Sequence, residues 1–306
     1  MEKLIYFFIH LAIPTLILIL AIRSKPKSKL FILLNALTYL SLLYFLYLWG
    51  QWPLVGSFYI RYVLVVIAVV VTMKSLQNYR SVERITPNKK LKLLYLIPEG
   101  FLVVLFIVLA SNSTTGLNHS DYGYELFFPL KNGKYYVASG GSDKSINNHM
   151  RDYPNSQQYA LDINKLGVTG GAFQSALKNE NDNHYIFDEE VFCPCSGSIE
   201  EVENFVDDNE GVNMNVSNEN GRGNFVTVKC GDLFVSVYHL KKGSVVVTVG
   251  EVIREGQLLG KVGNSGFSQE PHLHIQAAIF DSDSSLVGVP MKFNNEYLVR
   301  NDVISN

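Results

Sequence analysis

The sequence contains few cysteines and few charged residues, and neither sign of charge is in excess. Of 306 residues, 26 are Lys or Arg and 28 are Asp or Glu, which gives a net charge of −2. A near-neutral chain has no electrostatic preference for a polyanion, so we expect no nucleic-acid partner. Charged residues make up 18% of the chain, which is low for a soluble protein.

The three cysteines, Cys193, Cys195 and Cys230, are too few for a disulfide-scaffolded domain. The Cys-x-Cys pair could be half of a metal site, but no second pair of zinc-finger spacing follows it. We therefore expect small buried residues or a single disulfide. The odd number leaves at least one thiol unpaired or intermolecular.

Long apolar runs are almost absent after residue 111, whereas four of them precede it. Each is close to the ~20 residues that an α-helix needs to cross a bilayer. The four runs are residues 4–22, 30–49, 53–73 and 93–110. The sequence therefore predicts a membrane domain over residues 1–111, with about four transmembrane helices, and a second domain over residues 112–306.

Among the polar and helix-breaking residues of these apolar runs, four bear on topology or function. Arg61 lies toward one end of the third run, where its long side chain can extend to the interface. Pro98 and Glu99 interrupt the fourth run, and we expect Glu99 near the cytoplasmic interface. His10 lies in the first run, where packing between helices is favoured over a proton-relay or transport role.

The distribution of Lys and Arg predicts how the membrane domain is oriented. The first run lacks a small-residue cleavage site and is followed by the basic stretch "RSKPKSK", so it is not read as a signal peptide. That stretch and "KSLQNYRSVERITPNKKLK" hold most of the basic residues of this half. The positive-inside rule places both in the cytoplasm. We therefore expect a multi-pass cell-membrane protein whose C-terminal domain is extracytoplasmic.

After the apolar runs, short alternating segments are separated by Gly, Asn and Asp, which predicts a mainly antiparallel β domain. The segments "NFVTVKC", "LFVSVYHL" and "SVVVTV" are predicted strands, and "KKG", "REG" and "GNSG" are predicted turns. The acidic segment 205–223 is predicted to be a solvated loop, because it lacks the ligand spacing of a calcium loop.

Histidine is scarce, yet "PHLHIQ" places His272 and His274 one residue apart, where a strand directs both to one face. Asp162 lies between apolar residues in "YALDI", where an acid is costly unless it is paired or bound to a metal. A catalytic zinc site needs three protein ligands and an open position. His149, Asp162 and one of the paired histidines are candidate ligands. The other paired histidine and His239 are candidates for proton transfer.

The stretch from "GNFVTVKC" to "PHLHIQ" resembles the M23 family of zinc metallopeptidases, the lysostaphin-like or LytM-like endopeptidases. The resemblance depends on "YHL", "GNSG" and "PHLH", which occur in that order. The preceding "VFCPCSGSI" resembles a strand and turn where the family usually has Pro-x-x-Gly. The resemblance covers roughly residues 128–293 and implies an M23-like β-sheet core. It does not extend to the membrane domain.

The resemblance implies roles for the histidines. His274 corresponds to a zinc ligand, whereas His272 and His239 correspond to catalytic histidines that act on the substrate.

The two remaining family ligands are a His and an Asp, commonly spaced as His-x-x-x-Asp. The sequence departs from that spacing, because His149 and Asp162 are further apart. Asp152 is nearer, but it precedes Tyr153 and Pro154 in a predicted loop. We therefore assign His149 and Asp162 as the other ligands, with Asp152 as the alternative.

By resemblance, the chain is a membrane-anchored zinc metalloendopeptidase, with a zinc-activated water, whose substrates are peptidoglycan stem-peptide cross-links or interpeptide bridges. The alternative is a non-catalytic M23-like module that binds cell wall or regulates other wall hydrolases. The predicted transmembrane helices would contact the lipid bilayer, and they could also bind a membrane partner protein that the sequence does not identify. A carrier-domain reading of "VTVGEVIREGQLLGKVG" is rejected, because no Met-Lys-Met tripeptide is present.

Overall fold

The computed structural model describes residues 8–23, 28–82, 89–118, 122–152, 155–213 and 220–306. The described residues form two compact units, of which the first ends at Thr115 and the second begins at Gly116.

The first unit consists of helices. The α-helices are α1 (Ile13–Arg23), α2 (Lys29–Trp49), α3 (Arg61–Ser81) and α4 (Lys89–Thr115). A π-helical turn over Phe8–Ala12 precedes α1, and two 3-10 turns, Trp52–Val55 and Phe58–Ile60, precede α3.

Three helical segments of the described chain are long and apolar enough to cross a membrane, namely Lys29–Trp49, Phe58–Ser81 and Leu96–Thr115. Phe8–Arg23 is a shorter apolar helix, and the first residues of the predicted run 4–22 lie outside the described part. The prediction of several N-terminal apolar helices is confirmed.

The predicted start of the third helix, at residue 53, is wrong. Pro53 lies in a 3-10 turn that ends at Gly56, whose φ is +128°. This backbone conformation suits glycine and interrupts a helix.

Glu99 and His10 each have hydrogen-bond partners within this unit. Glu99 accepts hydrogen bonds from Asn35 Nδ2 at 2.8 Å and from Thr38 Oγ1 at 3.3 Å. His10 is 1% exposed and accepts from the Gln51 amide at 3.1 Å.

Arg61, whose side chain the sequence predicts to reach the membrane interface, packs against aromatic rings of this unit. It is buried, and its guanidinium lies 4.0 Å from the ring centroid of Tyr47 and 5.1 Å from that of Phe58. The aromatic faces therefore replace water around the cation.

The second unit is built mainly from strands. Nine of the described strands form one antiparallel sheet in the order β13-β2-β3-β10-β7-β6-β5-β8, with β11 paired to β10. The pair β1–β12 is parallel and the pair β4–β9 antiparallel. The predicted antiparallel β domain is therefore confirmed. The strands are β1 (Tyr124–Glu125), β2 (Lys134–Ser139), β3 (Leu161–Leu166), β4 (Glu190–Phe192), β5 (Gly197–Glu203), β6 (Asn224–Cys230), β7 (Leu233–Leu240), β8 (Val252–Ile253), β9 (Leu258–Lys261), β10 (Leu273–Phe280), β11 (Leu286–Gly288), β12 (Met291–Lys292) and β13 (Val303–Ser305), with one short helix, α5 (Asn148–Asp152).

The segment "SVVVTV" is not a strand, which corrects the sequence prediction. Val245 and Val247 are buried, whereas Val246 is 61% exposed, so the alternation that predicts a strand is present. The backbone bonds of the segment are isolated: the Val245 amide donates to Asn204 Oδ1 and the Val246 amide donates to Leu259. An extended segment with one buried face shows the same alternation of apolar and polar residues as a strand that is hydrogen-bonded within a sheet.

The cysteines form one disulfide, Cys195–Cys230, which joins the segment just before β5 to the last residue of β6. Cys193 is a buried free thiol, and burial raises its pKa to about 11. Thiols with a raised pKa are poor nucleophiles and metal ligands. Both expectations for the cysteines, a single disulfide and a small buried residue, are met.

Candidate metal centre

The sheet register places three side chains of the candidate centre side by side. His274 on β10 is opposite Asp162 on β3 and opposite Tyr238 on β7. Residues opposite one another in antiparallel strands share a face. The neighbours Ile163, Leu273 and Ile275 are fully buried in the apolar core. The polar face and the core face of the same strands therefore alternate, as the strand period requires.

A polar scaffold places His149 beside this face despite its distance from Asp162 in sequence. Asn147 is fully buried, and its Nδ2 donates to the carbonyl oxygens of Gly141 at 3.0 Å and Ala160 at 3.3 Å. Asn147 Oδ1 accepts from the His149 amide at 3.0 Å. Because Ala160 directly precedes β3, Asn147 links both ends of the long interval. His149 Nε2 lies 2.8 Å from Asp162 Oδ2.

His149, Asp162 and His274 form a group whose ligand atoms all lie within 4.8 Å of one another. Two ligand atoms with bonds of ~2.1 Å to one ion lie at most ~4.2 Å apart. Asp162 meets this limit with both histidines, at 2.8 Å from His149 Nε2 and 3.1 Å from His274 Nδ1. The alternative, Asp152, is exposed and forms an ion pair with Arg151 at 2.8 Å. The structure brings together the three predicted ligands and leaves Asp152 outside the group.

The chemistry of the three donors fits a cation. His274 Nε2 lies 3.0 Å from Gln276 Oε1, and an amide oxygen only accepts, so His274 carries a proton on Nε2. Burial lowers the pKa of His274, as does the charge of His149, which favours the neutral ring. His274 Nδ1 then presents a lone pair to Asp162 Oδ1 at 3.1 Å. Two lone pairs at that distance repel each other unless a cation binds both.

His239 reaches the site through a backbone distortion. It follows Tyr238, so strict alternation would direct its side chain to the opposite face. Its φ is +63°, and the β6–β7 register shifts by one residue between the pairs Asn224–Leu240 and Val226–Val237. Bulges of this kind redirect a side chain. The His239 ring centroid lies 4.9 Å from that of His272.

The "GNSG" turn holds His239 in position. The Ser265 carbonyl accepts from His239 Nδ1 at 2.8 Å, and Ser265 Oγ donates to the Leu240 carbonyl at 2.7 Å. At Gly263, a Cβ would lie 2.4 Å from the Lys241 backbone, so only glycine fits there. The hydrogen bond to Ser265 leaves His239 Nε2 as the nitrogen available to a substrate.

The turn is supported by the acidic segment that the sequence predicts to be solvated. Asn209 Nδ2 donates to the carbonyl oxygens of Asn264 and Gly266, both at 2.8 Å. Gly211 and Val212 are buried. The solvated-loop prediction is therefore wrong for this described part, because its amides satisfy the backbone of the neighbouring turn.

His272 is oriented in a similar way from the other side of the site. Its Nδ1 donates to the Glu270 carbonyl at 2.8 Å, and its Nε2 lies 3.4 Å from Asp162 Oδ1. Burial works against ionisation of His272, but Asp162 outweighs it and raises the pKa of His272 above its ordinary value.

The pKa values of Asp162 and His239 are both lowered, but for different reasons. Burial opposes ionisation of Asp162, but His149 and His272 outweigh it and hold its pKa well below the ordinary value. Burial and the charges of the other histidines hold the pKa of His239 well below the ordinary value. Asp162 is therefore a carboxylate, His239 is neutral and can accept a proton, and His272 is the better proton donor.

All five predicted residues lie in one site, whereas three supporting residues were not predicted. Asn147, Ser265 and Gln276 position His149, His239 and His274 respectively. Gln276 has a recognisable signal, because it continues the i, i+2 series of His272 and His274 on one strand face. The role of Ser265 is through its carbonyl, which no side-chain pattern reports.

Residues 189–285 match the model of Peptidase family M23. The second unit therefore contains an M23 peptidase domain, and the resemblance inferred from "YHL", "GNSG" and "PHLH" is confirmed. Peptidases of this family are metallopeptidases, and the group of His149, Asp162 and His274 is the place where this chain could hold a metal ion.

Individual proteins that resemble this chain do so at low sequence identity or over a small part of its length. An "Uncharacterized metalloprotease" of Buchnera aphidicola subsp. Baizongia pistaciae (strain Bp) is 32% identical over 68 residues, which cover 22% of this chain and 18% of that protein. Among solved structures, the antimicrobial peptidase lysostaphin from Staphylococcus simulans is 23% identical, with 39% of this chain and 45% of that chain covered and a TM-score of 0.23. A putative glycyl-glycine endopeptidase lytM from Ruminococcus gnavus is 14% identical, with 88% and 86% covered and a TM-score of 0.33.

Proposed function

We propose that the second unit is a zinc-dependent endopeptidase that cleaves peptide bonds of peptidoglycan. The observation that carries the proposal is the convergence of His149, Asp162 and His274, with the His274 tautomer set by Gln276 so that Nδ1 faces Asp162. A zinc ion held by these residues would supply a Lewis acid and a bound water of lowered pKa.

The remaining histidines supply the proton transfers that peptide hydrolysis needs. His239 is neutral and is held through Nδ1, so its Nε2 can accept a hydrogen bond or proton from the attacking water. His272 retains its proton more readily and can donate it to the leaving amine or to the developing oxyanion. Both rings are fixed by backbone carbonyls, which keeps reorganisation small during the reaction.

We infer that the domain faces the cell wall. The basic loops support this orientation through the positive-inside rule. The Cys195–Cys230 disulfide gives independent support, because disulfides persist outside the cytoplasm. The apolar helices would serve as the anchor in the cell membrane.

Protease added to intact protoplasts should therefore degrade the second unit, and an antibody against that unit should detect its loss. A cytoplasmic marker protein in the same sample should remain intact. Protection of the unit until the membrane is lysed would contradict this orientation.

Chelation should abolish hydrolysis of purified cell wall by the full-length protein in detergent. Peptide-bond cleavage releases new amino termini and converts cross-linked muropeptides into smaller species, which mass spectrometry detects. EDTA should stop this release, and added Zn²⁺ should restore it, because the proposed ligand group has no other means of activating water.

An Asp162→Ala variant purified in parallel controls for a contaminating hydrolase, because it loses one proposed ligand. Equal digestion by this variant and by the unaltered protein would assign the activity to a contaminant. Unchanged muropeptides in the presence of zinc would favour the non-catalytic binding module.

A further inference from the structure

Arg222 lies next to the catalytic histidines without belonging to the proposed metal centre. Its carbonyl accepts a hydrogen bond from the His239 amide at 3.2 Å. Its guanidinium lies 3.8 Å from the ring centroid of Phe225 and interacts with the Tyr238 hydroxyl. The Tyr238 ring is stacked on His274, with centroids 4.9 Å apart and planes 4° apart. One aromatic ring therefore separates the cation from a proposed metal ligand.

The acidic partner of Arg222 is held weakly. Arg222 Nη1 forms an ion pair with Glu201 Oε2, but both side chains are about half exposed, at 48% and 50%. Ion pairs of this exposure contribute little and exchange readily with other anions. Glu203, the nearby acid on the same strand, accepts from the Asn204 and Phe205 amides through Oε1. Arg222 is thus a partly exposed cation whose partner can be displaced.

The geometry favours a carboxylate as the group that displaces Glu201. A guanidinium offers paired N–H donors that match a carboxylate in a bidentate arrangement. Stacking on Phe225 fixes the plane of the guanidinium and leaves its edge for a ligand. The same edge of the guanidinium already donates to the carboxylate of Glu201, so a carboxylate is a ligand that this edge binds.

We propose that Arg222 binds a carboxylate of the substrate peptide and so selects peptides with a free carboxyl group near the scissile bond. The inference rests on the proposed peptidase function and specifies its substrate class. The rival role, in which the Arg222–Glu201 pair only ties a loop to β5, predicts no dependence on substrate charge.

The test compares two substrates with the full-length protein in detergent and Zn²⁺. One is a cross-linked peptide dimer released from purified peptidoglycan, and the other is the same dimer with its carboxyl groups converted to amides by carbodiimide and ammonia. The unaltered protein should cleave the carboxylate form with kcat/KM about 10- to 100-fold higher, mainly through a lower KM. Arg222→Ala should reduce this preference to within about twofold.

Two further variants make the result specific. Arg222→Lys keeps the charge but loses the paired donors, so its preference should be intermediate. Arg254→Ala removes an exposed arginine from the turn between β8 and β9, and it should leave the preference unchanged.

Equal cleavage of both dimers by the unaltered protein would overturn the inference, as would a preference that survives in Arg222→Ala. If Arg222→Ala loses zinc or thermal stability, Arg222→Lys decides, because a full preference in that variant would also contradict paired recognition. Failure of the proposed function has a different signature, namely no cleavage of either dimer, and the inference falls with it.

Discussion

Replacing His274 with alanine should abolish both metal binding and peptide hydrolysis. His274 is 1% exposed and lies between Asp162 and Gln276, so its removal leaves the proposed ligand group with two of its three ligands. Loss of an outer partner of a metal ligand costs about 10–100-fold in affinity or activity. Loss of the ligand itself should cost more than that. Zinc per chain, measured by elemental analysis of the full-length protein, should fall close to zero.

The result must be separated from unfolding, because a buried side chain is being removed. Gln276→Glu is the matched variant on the same strand, since it retains an acceptor for His274 Nε2. It should keep its zinc and its activity within about tenfold, and both variants should show a cooperative thermal transition. A folded His274→Ala protein that still binds one zinc per chain would show that the ligand group is wrong.

The sequence could predict the strand-borne part of this site because β geometry has a fixed period. His272 and His274 share a face through the i, i+2 rule, and "YALDI" identifies Asp162 as an acid in an apolar strand. The β3–β10 register then places Asp162 opposite His274. Local sequence does not encode that register, so only the family resemblance assigned Asp162 and His274 to the same site.

Two features of the site depend on contacts that spacing does not report. His149 is brought back to β3 by Asn147, which donates to the carbonyl of Gly141, before the interval, and to two carbonyls near the end of the interval. His239 faces the site only because its φ is +63°. A period-two reading directs that side chain the other way, and non-glycine residues adopt positive φ rarely.

In the first unit, composition predicts which segments are helices better than it predicts where each helix begins and ends. Mean hydropathy identifies the apolar runs, but it does not register the 3-10 turn at Pro53 or the break at Gly56. The environment of Arg61 also depends on tertiary contacts, because Tyr47 comes from a different helix. Side-chain burial of a cation therefore cannot be read from its position within an apolar run.

His272→Ala should separate catalysis from metal binding. His272 lies outside the ligand group, so the variant should keep its zinc content. It removes the side chain best suited to donate a proton, and loss of a general acid or base costs about 10²–10⁴-fold in rate. The loss should appear in kcat, measured by release of new amino termini from cross-linked muropeptides, with little change in KM. His272→Gln should not rescue turnover, because an amide does not transfer protons.

The two histidines of "PHLHIQ" approach the same carboxylate oxygen, which makes their comparison decisive. His274 Nδ1 lies 3.1 Å from Asp162 Oδ1, and His272 Nε2 lies 3.4 Å from it. The second ring nitrogens of the two histidines have different partners. His274 Nε2 is bound by the side-chain amide of Gln276, which lies on the same strand face, whereas His272 Nδ1 is bound by the Glu270 carbonyl. If His272→Ala lost its zinc, His272 would be a ligand and the group would have to be redrawn. If it kept both zinc and full turnover, His272 would have no catalytic role and the proton for the leaving amine would have to come from His239.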